Sequence, residues 1–275
     1  MTEKVILILG GDKRLDTVYD ILSENNKSCI RITENQDNLS DVINQSSYIL
    51  LPVPTCDNNG NIFSKNNSLN LNCQSIADMI NKKHIVFGCN FSKNLKYLLD
   101  KKNVIYYDLN CNEDFLVYNA YLTAQAALRL LLENTDEYII HKKILITGFG
   151  RVGRALAQTL KSLTPDITVC ARNKAQLNEA ECSGLKITDY SKLTEHIKDK
   201  DYILNTVPDR VFIAEQISSL SESAVYFELA SNPFGADRND FERLNKRYIY
   251  AGGLPGKYLP FSAGKKIAEI IERFI

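Results

Sequence analysis

Ile144-Leu145-Ile146-Thr147-Gly148-Phe149-Gly150-Arg151-Val152-Gly153 decides the fold of this chain. An apolar run leads into a glycine hexad, and an amphipathic segment follows. The order predicts a strand, a phosphate loop and a helix. Gly148 allows the tight turn, Gly150 lets the backbone approach a pyrophosphate, and Gly153 lets the helix pack close to the strand. Amides at the helix start would face the phosphates. A glycine hexad alone also fits a structural turn. This one continues into a second apolar run, Ile167-Thr168-Val169-Cys170, at the spacing a βαβ unit needs, and that favours nucleotide binding. Phe149, Arg151 and Val152 join the three glycines as candidate cofactor contacts.

After the second run the chain reads Ala171-Arg172-Asn173-Lys174. An NAD site commonly places Asp or Glu here for the ribose hydroxyls, and a carboxylate would repel a 2′-phosphate. A guanidinium instead grips a phosphate with two donors and stacks on adenine. With no Asp or Glu in that turn, Arg172 and Asn173 favour NADP over NAD, against the plainer reading of a solvated basic turn.

The 275 residues suffice for two domains, and 33 basic against 33 acidic side chains leave no net charge. Nothing suggests a nucleic-acid footprint or a membrane-surface patch. The seven cysteines are scattered, with no CxxC pair and no Cys/His ligand cluster. They read as mostly buried thiols of a reducing cytosol, and no metal site is expected. The start, Met1-Thr2-Glu3-Lys4 before Val5 to Leu9, is too short in apolar residues for a signal sequence. No apolar segment reads as approaching a membrane span. The expectation is a cytoplasmic protein.

Working outward, Val5 to Leu9 reads as a first strand, followed by the turn Gly10-Gly11-Asp12-Lys13-Arg14 and a helix to about Asn25. Further strands are predicted at Tyr48 to Val53, His84 to Phe87 and Val104 to Tyr107, with helices at Ser75 to Asn81 and Lys93 to Lys101. Asp57 to Asn70 is polar and aperiodic, a surface loop near strand ends. Asp114 to Asn134 has helical apolar spacing and joins the halves. Later strands are predicted at Asp201 to Thr206, Ala224 to Ala230 and Tyr248 to Ala251. The expected class is α/β: two doubly wound domains, the second a Rossmann-type dinucleotide-binding domain, with a cleft between them. The expected bounds are 1–120 for the substrate side, 121–259 for the nucleotide side, and 260–275 for a helix returning to the first domain.

Asn205-Thr206-Val207-Pro208 follows a nucleotide-domain strand, where a loop would pass near the nicotinamide ribose, although a proline-ended turn explains it equally from sequence alone. Glu228 and Asp237 follow as carboxylates that orient a ring or water, or simply satisfy turns. His84, His141 and His196 are given no role. Gly252-Gly253-Leu254-Pro255-Gly256-Lys257-Tyr258 reads as a loop whose amides bind carboxylate oxygens, with Lys257 adding charge. A solvent turn with a hydrated lysine is the competing account.

Taken in order, Gly10-Gly11-Asp12-Lys13-Arg14, Asn119 to Thr123, the Gly148 to Gly153 hexad, Ala171-Arg172, Asn205-Thr206-Val207-Pro208, Leu254-Pro255-Gly256 and Ala263-Gly264 resemble the A-subunit family of dipicolinate synthase. The nucleotide motifs are widely shared; the opening Gly-Gly-Asp-x-Arg with the late Leu-Pro-Gly is more specific. Two departures stand out. Thr123-Ala124-Gln125-Ala126 replaces a Thr-x-Glu-Gly run, and Ser231-Asn232-Pro233-Phe234-Gly235 lacks a glycine beside the proline.

The resemblance implies a sporulation enzyme that forms dipicolinate from dihydrodipicolinate or its hydroxylated precursor. It implies the flavoprotein-like B-subunit of dipicolinate synthase as partner and a small dicarboxylate as substrate. Homo-oligomerisation is left open. In this reading Arg14, Thr123, Leu254, Pro255 and Gly256 hold substrate, Arg14 and Lys257 clamp its carboxylates from opposite domains, and Asp12 accepts the proton unless it merely caps a helix. Two other readings are a shikimate-dehydrogenase-like NADP oxidoreductase and a non-catalytic NADPH-binding regulatory protein.

Overall fold

The computed structural model describes residues 4–57, 59–65 and 68–275. It divides into two compact units, Met1–Asn119 with Gly256–Ile275, and Ala120–Pro255.

The first unit carries β1 (Ile6–Leu9), α1 (Lys13–Glu24), β2 (Cys29–Ile32), α2 (Leu39–Gln45), β3 (Tyr48–Leu50), α3 (Cys73–Met79), β4 (Ile85–Gly88), α4 (Lys93–Lys101) and β5 (Ile105–Asp108). Its strands form one parallel sheet of order β2-β1-β3-β4-β5. Successive β1 side chains go to opposite faces, Leu7 and Leu9 into one apolar cluster and Ile6 and Ile8 into another. Burial on both faces explains why β1 is apolar at every position rather than alternating. β2 and the helix α2 lie in a stretch for which the sequence analysis assigns no element.

α5 (Glu113–Leu132) runs from the first unit into the second, where β6 (Ile144–Thr147), α6 (Arg151–Leu160), β7 (Ile167–Cys170), α7 (Lys174–Cys182), β8 (Lys186–Thr188), α8 (Leu193–His196), β9 (Tyr202–Asn205), α9 (Ala214–Ser218), β10 (Val225–Glu228), α10 (Arg238–Arg243) and β11 (Arg247–Tyr250) follow. These strands form a parallel sheet of order β11-β10-β9-β6-β7-β8. That is the doubly wound order of a dinucleotide-binding domain, reversing direction between β6 and β9.

The chain ends in α11 (Leu254–Tyr258) and α12 (Pro260–Ile271). α12 lies against α1 within the first unit, burying Ile267, Ile270 and Ile271 with Leu15, Val18 and Leu22. Gly264 makes this approach possible: a Cβ there would stand 2.4 Å from the Arg14 carbonyl oxygen and 2.7 Å from the Thr17 Cβ. Asp114 clasps the same helix through Lys266 at 2.8 Å and its following turn through Arg273 at 3.1 Å.

Three expectations need correction. Cys56 and Cys73 form a disulfide, because the chain between them folds back through the bridges Cys56 to Ile62 and Asn61 to Asn72. Of the free cysteines Cys111 and Cys182 are exposed and Cys29 half-buried; only Cys89 and Cys170 are buried, and burial pushes both thiols up to about 12. Second, α5 is long and apolar enough to cross a membrane by length and composition, although half of its apolar window is buried inside the protein. Third, the late glycine cluster is only partly a loop. Leu254–Tyr258 is helical, which Pro255 in its first turn permits. Of the polar Asp57 to Asn70 stretch, Asn58, Asn66 and Asn67 lie outside the described residues, as do Met1, Thr2 and Glu3. The remainder is stitched to the end of β1, where the Gly11 amide donates to the Phe63 carbonyl at 2.7 Å and Lys65 donates to the Gly11 carbonyl at 3.1 Å.

Candidate functional site

In open parallel sheets, ligands settle beyond the carboxyl ends of the strands where strand order reverses. In the second unit that point lies between β6 and β9, and the glycine hexad sits on it. Gly148 has φ +85°, and a Cβ there would meet the Thr206 hydroxyl at 2.6 Å. At Gly153 a Cβ would stand 2.2 Å from the Gly148 carbonyl oxygen, so α6 can pack against the loop only with hydrogen at this position. Gly150 differs: nothing lies within 4 Å of where its Cβ would be. It is also the N-cap of α6, and no side chain caps the helix there. An exposed glycine backbone before an uncapped helix start fits a pyrophosphate. Phe149 offers only backbone, since its ring is buried beneath the Arg154 guanidinium, 5.4 Å from the centroid. Arg151 is exposed and Val152 half-buried.

Behind the loop runs a polar row. Thr147, Asn205 and Glu228 end β6, β9 and β10 and stand in register across the three strands. The Thr147 hydroxyl donates to Asn205 Oδ1 at 2.6 Å, and Asn205 Nδ2 donates to Glu228 Oε1 at 2.6 Å. Glu228 also accepts from the Tyr226 hydroxyl at 2.9 Å and from the amides of Gly235 at 2.8 Å and Ala230 at 3.1 Å. Burial pushes the Glu228 carboxyl above the usual carboxylate range, against the pull of these four donors. Asn205 is itself fully buried and also holds the following loop through the Val207 carbonyl at 3.0 Å. Its side chain therefore braces the loop from behind. Thr206 donates to the Thr147 carbonyl at 2.7 Å; Val207 is half-buried and Pro208 exposed.

Arg172 follows β7, with its side chain 73% exposed. The turn holding it lacks a carboxylate, but one arrives from elsewhere: Asp209 Oδ2 lies 3.4 Å from Arg172 Nη1. The sequence offers no signal for this pair, because Asp209 stands 37 residues away in the loop after β9. Asn173 caps α7 by accepting from the Ala175 amide at 2.8 Å, so its side chain is committed to the helix. Asp237 likewise caps α10.

In the first unit the reversal lies between β1 and β3, where Asp12 and Arg14 follow β1. Asp12 caps α1 through the Arg14 amide at 3.0 Å and accepts from Arg14 Nε at 2.9 Å and Nη2 at 2.7 Å. Arg14 Nη2 also donates to the Val53 carbonyl, and the guanidinium is largely buried. Among the described residues none accepts from Nη1. Gly256 packs onto this pair, since a Cβ there would meet Arg14 Nε at 2.8 Å and Asp12 Oδ2 at 2.9 Å. Lys257 follows, exposed, with its ammonium 5.1 Å from the Tyr258 ring centroid. The structure thus brings Asp12, Arg14, Gly256 and Lys257 into one unit, so Arg14 and Lys257 do not face each other from opposite units as the sequence reading has it. Leu254 and Pro255 are buried, and Thr123 is buried on α5.

Residues 5–110 match the family of N-terminal domains of the dipicolinate synthase A-subunit. Residues 103–230 match the D-isomer specific 2-hydroxyacid dehydrogenase, NAD binding domain family. The A-subunit of dipicolinate synthase from Bacillus subtilis (strain 168) is 30% identical over 163 residues, covering 59% of this chain and 55% of that protein. The solved A chain of dipicolinate synthase from Bacillus subtilis superposes with a TM-score of 0.84 at 25% identity, covering 99% of this chain and 96% of that one. The chain resembles the A-subunit of dipicolinate synthase. The A-subunit from Bacillus halodurans shows the same fold, with a TM-score of 0.87 at 24% identity over 99% of this chain and 97% of that one. The curated match spans about half the length of the relative. The chain carries an NAD(P)-binding domain of dehydrogenase type.

Proposed function

We propose that this chain is the A-subunit of a two-subunit, NADP-dependent oxidoreductase of the sporulating cell's cytoplasm. It forms dipicolinate from dihydrodipicolinate or its hydroxylated precursor, and the flavoprotein-like B-subunit of dipicolinate synthase is its partner. The observation that carries the reading is the Asp12, Arg14, Gly256, Lys257 cluster at the reversal of the first sheet, in a chain whose second sheet presents a dinucleotide loop at its own reversal.

NADP, when bound, supplies a hydride acceptor, and aromatisation of the ring supplies driving force. Gly148, Gly150, Gly153 and the start of α6 would hold its pyrophosphate by backbone, with the backbone of Phe149, Arg151 and Val152 alongside. Thr206, Val207 and Pro208 shape the nicotinamide end, Asn205 bracing them from behind, while Arg172 and the backbone beside Asn173 receive the adenosine ribose. Arg14 Nη1 is the donor a substrate carboxylate would take, and Lys257 is a second cation for the other carboxylate. An ionised carboxylate accepts about four hydrogen bonds; Asp12 receives three from Arg14. That leaves Oδ2 room for one more, enough to accept the departing proton. Gly256 keeps the pair uncrowded.

The substrate assignment is tested by Arg14→Ala. A charge-assisted contact contributes about 1.5 to 3 kcal/mol, so the Michaelis constant for dihydrodipicolinate should rise roughly tenfold or more. The NADP dissociation constant should stay within about twofold, the spread ordinary for a change outside that site. A variant that melts like the parent and keeps the parent's Michaelis constant removes Arg14 from substrate binding.

A further inference from the structure

The ion pair between Arg172 and Asp209 has a definite place in the topology. Arg172 follows β7 and Asp209 lies in the loop after β9, and these strands flank β6 on either side. The pair therefore joins the loops beside the strand from which the glycine hexad departs. We propose that Asp209 competes with the 2′-phosphate for Arg172, and so sets how strongly this chain distinguishes NADPH from NADH. The inference rests on the reading of Arg172 as the 2′-phosphate ligand and adds the group that opposes it.

The chemistry runs in both directions. A 2′-phosphate approaching Arg172 must take a donor that Asp209 now holds at 3.4 Å, and it must do so beside a like charge. A ribose with a free 2′-hydroxyl meets no such repulsion, and a carboxylate in the same region can accept from that hydroxyl. Asp209 thus narrows the preference that Arg172 alone would impose. Both side chains are well exposed, 73% for Arg172 and 58% for Asp209, so solvent weakens the pair and the phosphate can displace the carboxylate. The 3.4 Å separation, beyond the usual 2.7–2.9 Å range of a charge-assisted N–H···O contact, agrees with an exchangeable partner. Specificity here comes from a built-in opposing group as well as an attractive one.

The test is a fluorescence or calorimetric titration of the full chain and its Asp209→Asn variant with NADPH, NADH and adenosine 2′,5′-bisphosphate. The variant should bind NADPH and the bisphosphate about three- to tenfold more tightly, the scale of one exposed ion pair plus one removed repulsion. NADH affinity should stay the same or fall. In an Arg172→Ala background the gain for the bisphosphate should shrink to the part that comes from the removed repulsion. Unchanged or weaker NADPH binding by Asp209→Asn overturns the inference, and so does a gain that persists in full without Arg172. If Arg172→Ala selectively weakens NADPH while Asp209→Asn changes nothing, this inference alone fails. If Arg172→Ala weakens NADPH and NADH equally, the assignment beneath it fails too.

Discussion

Arg172→Ala should lower NADPH affinity roughly tenfold to a hundredfold and leave NADH affinity nearly constant. A guanidinium-to-phosphate contact contributes about 1.5 to 3 kcal/mol. Its present partner offsets only the smaller part of that. The Arg172–Asp209 pair is 3.4 Å long between well-exposed side chains, and exposed pairs contribute about 0 to 1 kcal/mol. The phosphate therefore wins Arg172 whenever it is present. The exposure of Arg172 also makes the variant safe for the fold, since no buried group loses a partner. Titrating both cofactors against parent and variant decides the matter. Equal losses would show a structural role for Arg172, and a parent chain that prefers NADH would overturn the NADP assignment.

Glu228→Ala should cost about 3 to 5 kcal/mol of unfolding free energy, because each buried donor left without an acceptor costs about 1 to 3 kcal/mol. Four lose their acceptor: the Asn205 amide, the Tyr226 hydroxyl and the amides of Gly235 and Ala230. Part of the sum returns because a carboxylate is no longer buried. Chemical denaturation measures the loss, and a cost below about 1 kcal/mol would contradict the network, since that is within the effect of an ordinary substitution. The pH dependence carries its own sign. Burial raises the folded-state pKa of Glu228, so the folded chain keeps this proton longer than the unfolded chain does. The stability it contributes is fully present below the ordinary carboxylate range and declines as pH rises through the raised value. Glu228→Gln, which cannot titrate, should lack that decline.

How much of this was legible in sequence follows from burial. β6 and β7 are buried on both faces, so they read as largely apolar runs, and of the glycines between them Gly148 and Gly153 meet a steric demand that the spacing announces, while Gly150 stands open. β2 and β8 are illegible for local reasons, since the other two edge strands, β5 and β11, are legible. β2 is mostly half-buried and carries Arg31, paired with Asp16 at 3.0 Å, while β8 is only Lys186–Thr188.

The site was legible where its logic is local. Gly10-Gly11-Asp12-Lys13-Arg14 could be placed at a strand end, but the bond from Arg14 to Val53 and the packing of Gly256 on Asp12 and Arg14 are tertiary contacts that no spacing reveals. The same holds for Asp209 beside Arg172. The bracing role of Asn205 is equally hidden, because a position after a strand says nothing of a side chain's direction. The register does leave a trace: β6, β9 and β10 each end on a polar residue, Thr147, Asn205 and Glu228, after three largely apolar ones. Matching polar ends on adjacent strands could have pointed to a buried hydrogen-bonded row.

Turnover separates an NADP-linked synthase from a cofactor-binding scaffold. The purified chain is mixed with enzymatically generated dihydrodipicolinate and either NADP or NAD, with and without the flavoprotein-like partner, while reduced cofactor and dipicolinate are measured together. Dipicolinate and NADPH should appear in equal amounts when both proteins are present, with little product from the chain alone and much slower reaction with NAD. Dipicolinate formed without any reduction of NADP would contradict an NADP-linked reaction.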